Sequence, residues 1–188
     1  MPHEDVARGP ITVTSATGVG LTPDRVAQID GIFFAASVTR HFPDEATRAA
    51  FREQWLGRYL ARFPGDTLLA LDAGNHVVGY LVGARDDPAG DRGFADIGYF
   101  APLSDLTAAY PAHLHINLAP SVRSRGIGAR LVEMFCARLR EEGIGGVHVV
   151  TAADARNRSF YDRLGFAPLR TLDWKGAAIV MLGRRLRR

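Results

Sequence analysis

The stretch Leu114-His-Ile-Asn-Leu-Ala-Pro-Ser-Val-Arg-Ser-Arg-Gly-Ile-Gly-Ala-Arg130 decides the fold. An apolar strand runs into a proline, then into a short basic turn, then into an amphipathic helix. The turn reads Arg123-x-x-Gly126-x-Gly128. Glycine lets a backbone approach a ligand closely and adopt conformations that other residues resist. The helix that follows presents unpaired N–H groups and the positive end of its dipole to that turn. The combination suits a phosphate or pyrophosphate. Two common phosphate loops do not fit. No Gly-Lys-Ser/Thr is present, which argues against an ATPase loop, and the third glycine of the dinucleotide fingerprint is missing. On this stretch alone, a turn of purely structural purpose stays open.

Working outward, His113, His115 and Asn117 alternate with Leu114, Ile116 and Leu118. A strand sets the first three on one face and the second three on the other. After the turn, Ile127, Leu131, Phe135 and Leu139 mark one face of a helix over 127–142, ended by Gly143 and Gly145-Gly146. A strand over 147–150 follows. Next comes a short helix over 156–164, with Asp154 as its expected cap and Gly165 at its end. Segments 169–174 and 178–182 read as an antiparallel pair around Lys175-Gly176.

Toward the N-terminus, residues 1–9 are polar and expected to be flexible. The β-branched run 11–14 reads as a strand. Thr22-Pro-Asp24 opens a helix whose apolar positions are Val26, Ile29, Ile32 and Phe33. Pro43-Asp44-Glu45 opens another, with Phe51, Trp55, Leu56, Tyr59, Leu60 and Phe63 as one core-facing stripe. Strands over 67–71 and 77–82 flank a hairpin turn at 72–75. Residues 85–112 are irregular and rich in Pro, Gly and Asp. They form either a substrate-side loop whose acids favour a cationic amine or a solvated surface loop.

The bulk numbers describe one domain over 1–188 with room for a core. Apolar residues make up 47% and charged residues 23%, as in ordinary globular proteins. Four of the 23 basic residues lie in a basic tail at 184–188, and the remaining 19 stand against 20 acidic ones. A nearly neutral body gives nucleic-acid binding little support. No signal peptide or membrane-length apolar run is present, so a cytoplasmic enzyme without membrane association is expected. Cys136 is the single cysteine, which excludes an intrachain disulfide, and it falls in a helical pattern where a buried inert thiol is expected.

At Arg123-x-x-Gly126-x-Gly128 and again at Phe160-Tyr-Asp-Arg-Leu-Gly-Phe166, the sequence resembles the GCN5-related N-acetyltransferase (GNAT) superfamily. The two motifs occur in the family's order, separated by one helix and one apolar strand. The resemblance implies an α/β fold: a mixed central sheet with helices on both faces, its fourth and fifth strands splayed for acyl-CoA. It implies transfer of an acetyl group from acetyl-CoA to a primary amine by direct transfer, with no metal. The alternative is a non-catalytic acetyl-CoA-binding or protein-interaction module of the same fold. A homodimer is compatible, since many relatives are dimers.

Residue by residue, the resemblance assigns the pyrophosphate to backbone N–H groups of Arg123, Ser124, Arg125, Gly126, Ile127, Gly128 and Ala129, with arginine side chains adding charge near the phosphates. It assigns the pantetheine arm to the backbone of Ile116, Asn117 and Leu118. Tyr161 stands where many members carry a general acid for the departing thiolate. Several members place a base on the strand before the turn, which makes His115 and His113 candidates, because imidazole titrates near neutrality. A histidine with a satisfied hydrogen bond in the core is an equal alternative for either one. The family's usual cofactor-contacting asparagine, seven residues before the tyrosine, is Asp154 here, and Asn157 is the nearest substitute. The stretch 110–120, with Trp55, Arg58-Tyr59-Leu60, Phe63-Pro64 and 79–83, also resembles a bacterial branch similar to the acetyltransferase-like domain of the animal nuclear O-GlcNAc hydrolase.

Overall fold

The computed structural model describes residues 9–155 and 157–186. In chain order the elements are β1 (Thr12–Ser15), the single turn α1 (Ala16–Val19), α2 (Pro23–Ala36), α3 (Glu45–Arg52), α4 (Arg58–Arg62), β2 (Leu68–Leu71), β3 (Val77–Ala84), α5 (Ser104–Ala109), β4 (Ala112–Leu118), α6 (Ile127–Glu141), β5 (Gly146–Ala152), α7 (Arg158–Arg163), β6 (Ala167–Trp174) and β7 (Ala177–Arg185). The seven strands form a mixed sheet in the order β1-β2-β3-β4-β5-β7-β6, flanked by helices, the α/β class expected from the sequence. No described helix is long and apolar enough to cross a membrane. The described residues fall into two compact units, the first within 9–83 and 115–135, the second within 84–114 and 136–186.

In the first unit, local chemistry starts the helices where the sequence places them. Thr22 caps α2 by accepting from Arg25 N–H, with Pro23 in the first turn. Asp44 caps α3 by accepting from Thr47 N–H at 2.7 Å, and that bond, aided by the Thr47 hydroxyl and the Ala46 N–H, holds its carboxyl below the ordinary range. Residues 53–57 do not continue α3 as an α-helix. They form a π turn, with Arg58 N–H bonding back to Glu53 C=O, before α4 begins. Of the predicted stripe, Leu56 and Tyr59 are buried, whereas Trp55 is only half-buried.

Strands β1, β2 and β3 pair antiparallel, and β2 is buried along its whole length. In the hairpin turn, Asp72 Oδ1 accepts from the N–H groups of Gly74 and His76. Gly79 of β3 is needed because a Cβ there would collide with Leu118 Cδ2 and lie 3.3 Å from Asn117 C=O. The absence of a side chain lets the C-terminal half of β4 pack against β3.

In the second unit, β5 pairs with β7 over Gly146↔Arg185 to Ala152↔Ile179, and β6 pairs with β7. The last strand therefore lies between β5 and β6, leaving β6 at the edge with most residues exposed. Between β6 and β7, Lys175 and Gly176 take φ of 54° and 78°, a tight hairpin turn. Strands β4 and β5 are parallel, in register through Ala112↔Val147 and His113↔His148.

Two expectations are revised here. Helix α7 starts at Arg158 with Asn157 as its flanking residue, so the exposed Asp154 does not cap it. Arg184 and Arg185 belong to β7 rather than to a solvated tail, because strand pairing extends through both, and Arg185 lies 4.7 Å from the Tyr110 ring centre. Residues 187–188 of the predicted tail and 1–8 of the predicted flexible start lie outside the described residues.

Candidate functional site

The glycine turn belongs to the first unit. After β4, a 3₁₀ turn over Pro120–Val122 pins the chain through Val122, which is 1% exposed. The backbone then takes two left-handed residues, Ser124 at φ 60° and Gly126 at φ 75°. No atom lies within 4 Å of a Cβ built on Gly126, so the glycine is required by backbone conformation rather than by space. The first bond of α6 runs from Arg130 N–H to Gly126 C=O at 3.1 Å. The N–H groups of Ile127, Gly128 and Ala129 precede it and have no intrahelical acceptor. The first turn of α6 carries no acidic side chain, and Arg123, Ser124, Arg125 and Gly126 are exposed. This donor set fits an anion of phosphate type.

The arginine side chains around the turn also bond to the backbone. Arg123 Nε donates to Leu118 C=O at 3.1 Å, Arg125 Nη2 to Gly9 C=O at 2.9 Å, and Arg130 Nη1 to Ile11 C=O at 2.9 Å. Each guanidinium commits part of its donor fork to a backbone carbonyl. The sequence names these cations but carries no signal that the N-terminal segment supplies two of the acceptors.

Along the C-terminal half of β4, Ile116, Asn117 and Leu118 are half-buried. Asn117 Nδ2 donates to Tyr80 Oη at 2.8 Å, and Tyr80 is 1% exposed. Burial holds the Tyr80 phenol well above its ordinary range; Asp30 pushes the same way, against the opposing effect of the Asn117 bond. His115 is half-buried and meets two aromatic side chains delivered by the π turn and α4. Its Nε2 lies 3.1 Å from Tyr59 Oη, and the Tyr59 ring stands edge-on at 5.2 Å between centres. The Trp55 ring lies 5.9 Å away at 80°. Tyr59 and Trp55 read as core in the sequence. Their four-residue spacing and polar edges were the available signal, and the π turn that aims them was not legible.

His113, in the second unit, has another environment. It is 2% exposed, with Phe94 at 4.9 Å, Phe100 at 5.6 Å and the His148 ring stacked at 5.5 Å between centres. His148 Nδ1 donates to Tyr110 C=O at 2.6 Å. Burial pushes the His148 imidazole down to about 4, against the effect of that bond, so it is neutral at ordinary pH. The alternation of His113 and His115 along the strand is as expected, but only His115 has appreciable exposure.

Tyr161 is 5% exposed on α7, packed edge-on against Phe160 and Phe166. Burial raises its phenol well above the ordinary tyrosine range. Asn157 Oδ1 accepts from Thr151 Oγ1 at 3.2 Å, which ties it to β5. Acids of the irregular segment have local structural work: Asp87 accepts from Ala89 N–H, Asp91 from Gly93 N–H, and Asp105 grips Arg170 through both oxygens. Cys136 is fully buried on α6, with Arg184 Nη1 3.8 Å from its sulfur. Among the described residues, no group of three or more His, Cys, Asp or Glu side chains is arranged to hold a metal ion.

Comparison with solved structures finds the same architecture elsewhere. The crystal structure of SsHAT matches with 27% identity over 95% of this chain and 99% of that one, at a TM-score of 0.69. A polyamine N-acetyltransferase of Drosophila melanogaster, which forms N-acetylagmatine, matches at 18% identity over 94% of this chain and all of its own, at a TM-score of 0.64. A phosphinothricin acetyltransferase of Sinorhizobium meliloti, solved with acetyl-CoA, matches at 18% identity over 94% of this chain and 88% of that one, at 0.59. The model of the acetyltransferase (GNAT) family matches residues 32–166, and the chain belongs to that family.

Proposed function

We propose that the chain transfers an acetyl group from acetyl-CoA to a primary amine by direct transfer. The observation that carries this reading is the turn before α6, where left-handed residues at Ser124 and Gly126 lead into N–H groups with no intrahelical acceptor, in a chain of the GNAT family. The N–H groups of Ile127, Gly128 and Ala129 would hold the pyrophosphate, with the exposed Arg123, Ser124 and Arg125 at the rim. The backbone of Ile116, Asn117 and Leu118 would bind the pantetheine arm. Bound acetyl-CoA supplies an acetyl group activated as a thioester.

The chain's own residues then have three tasks. His115 takes the proton of the attacking amine, a role its partial exposure supports and the 2% exposure of His113 does not. A backbone N–H of β4 stabilises the charge developing on the acetyl oxygen. Tyr161 gives its proton to the departing sulfur. A tyrosine phenol is protonated at neutral pH, as a general acid requires, and burial raises its pKa further, which makes it a weaker donor. Burial of Cys136 supports direct transfer over a cysteine-bound intermediate.

Calorimetry with acetyl-CoA tests the reading, comparing the wild type with a Gly126→Asp/Gly128→Asp variant. The wild type should bind in the micromolar range. The variant should lose about 100-fold or more, because a carboxylate faces the anion and residue 126 is strained at φ 75°. A folded wild type that does not bind acetyl-CoA would refute the proposal. CoA thiol release with a panel of primary amines then tests the transfer itself.

A further inference from the structure

We propose that Tyr59 is a positioning residue for His115: it holds the imidazole through Nε2 so that Nδ1 takes the proton of the acceptor amine. The inference rests on the reading of His115 as the base.

Three observations carry it. First, Tyr59 is fully buried, and its Oη, which can accept as well as donate, lies 3.1 Å from His115 Nε2. Second, the imidazole is held edge-on by Tyr59 at 74° and by Trp55 at 80°, which restricts its rotation. Third, the π turn creates this arrangement. One extra residue in a helical turn rotates everything beyond it by about 100°, and residues 53–57 supply that residue immediately before Tyr59. A regular helix through the same sequence would aim the phenol elsewhere.

The chemistry follows from the two ring nitrogens, whose roles are set by the bond one of them makes. When Nε2–H donates to Tyr59 Oη, the basic lone pair lies on Nδ1. The amine proton moves to Nδ1 as the nitrogen's electron pair forms the bond to the acetyl carbon. The resulting imidazolium keeps its Nε2–H bond to the phenol oxygen, which stabilises the charge. The opposite arrangement, with the phenol donating to Nε2, puts hydrogen on Nδ1 and leaves no basic lone pair for the amine.

The full chain labelled with ¹⁵N-histidine tests this through long-range ¹⁵N–¹H spectra across pH, with His115→Gln used to assign the signal. The expected wild-type spectrum is the Nε2–H tautomer. In Tyr59→Phe, the tautomer preference is lost and the imidazole pKa falls. CoA release by that variant drops about 10- to 100-fold in kcat with KM for acetyl-CoA unchanged, and the acidic limb of its pH profile moves with the imidazole. A wild-type Nδ1–H tautomer overturns the proposal without recourse to any variant. So does a Tyr59→Phe chain whose spectrum and acidic limb match the wild type. Failure of the underlying reading looks different. Acetyl-CoA would not bind in calorimetry, or His115→Gln would release CoA at the wild-type rate; either removes the catalytic role while the tautomer result stands.

Discussion

His113 and His115 stand two residues apart on β4, and the alternation of a strand gives them the same facing. Their surroundings differ in kind. His113 is closed in by Phe94, Phe100 and the His148 ring, at 2% exposure. His115 is half-buried, beside a phenol hydroxyl 3.1 Å from Nε2 and an indole. Aromatic rings shut His113 away from solvent, whereas His115 keeps partial exposure beside the buried Tyr59 hydroxyl. Residue type and strand position nominate both side chains equally, and the neighbours separate a structural histidine from a candidate base.

The contrast is sharpest in activity. His115→Gln is expected to lower kcat for CoA release with an amine acceptor by about 100- to 10,000-fold and to leave acetyl-CoA affinity at the wild-type value in calorimetry. An unchanged kcat would break the comparison. The next effect falls on stability at the other histidine. Phe94 is 1% exposed and forms one wall of the His113 box. Phe94→Ala should cost about 3–5 kcal/mol in urea unfolding, while the acidic limb of the pH profile keeps its position. Movement of that limb would show that the box takes part in the chemistry.

A smaller effect concerns acid. The folded His148 titrates near 4, against 6.5 for the free side chain. Between those values the unfolded chain binds a proton that the native chain excludes. Stability is therefore full above the unfolded value, declines through that window, and has lost roughly 3 kcal/mol at its lower end. Urea unfolding of the wild type and His148→Phe at several pH values measures this. The variant should show a flatter slope over the window, and equal slopes would remove His148 as the cause.

Legibility in the sequence follows the range of the forces involved. Thr22, Asp44 and the Lys175-Gly176 pair mark boundaries because each acts on backbone within a few residues. The turn before α6 is legible for the same reason: Gly126 permits a left-handed backbone, and the helix supplies its own N–H groups. Asp154 misled because a helix start depends on where the preceding strand releases the chain, and Thr151 on β5 engages Asn157.

From the amino-acid order alone came the family, the α/β sheet and the glycine turn before α6, all written in local glycine, proline and capping chemistry and in apolar periodicity. Packing of distant segments supplied the rest. The destinations of Arg125 and Arg130 depend on carbonyls of Gly9 and Ile11, more than a hundred residues away. The place of β7 between β5 and β6 reflects pairing that brings Gly146 opposite Arg185. The Tyr59–His115 bond joins residues 56 apart through a π turn that no residue pattern announces. Such contacts depend on how whole elements stack, and a side chain's chemistry changes with the neighbours that stacking brings.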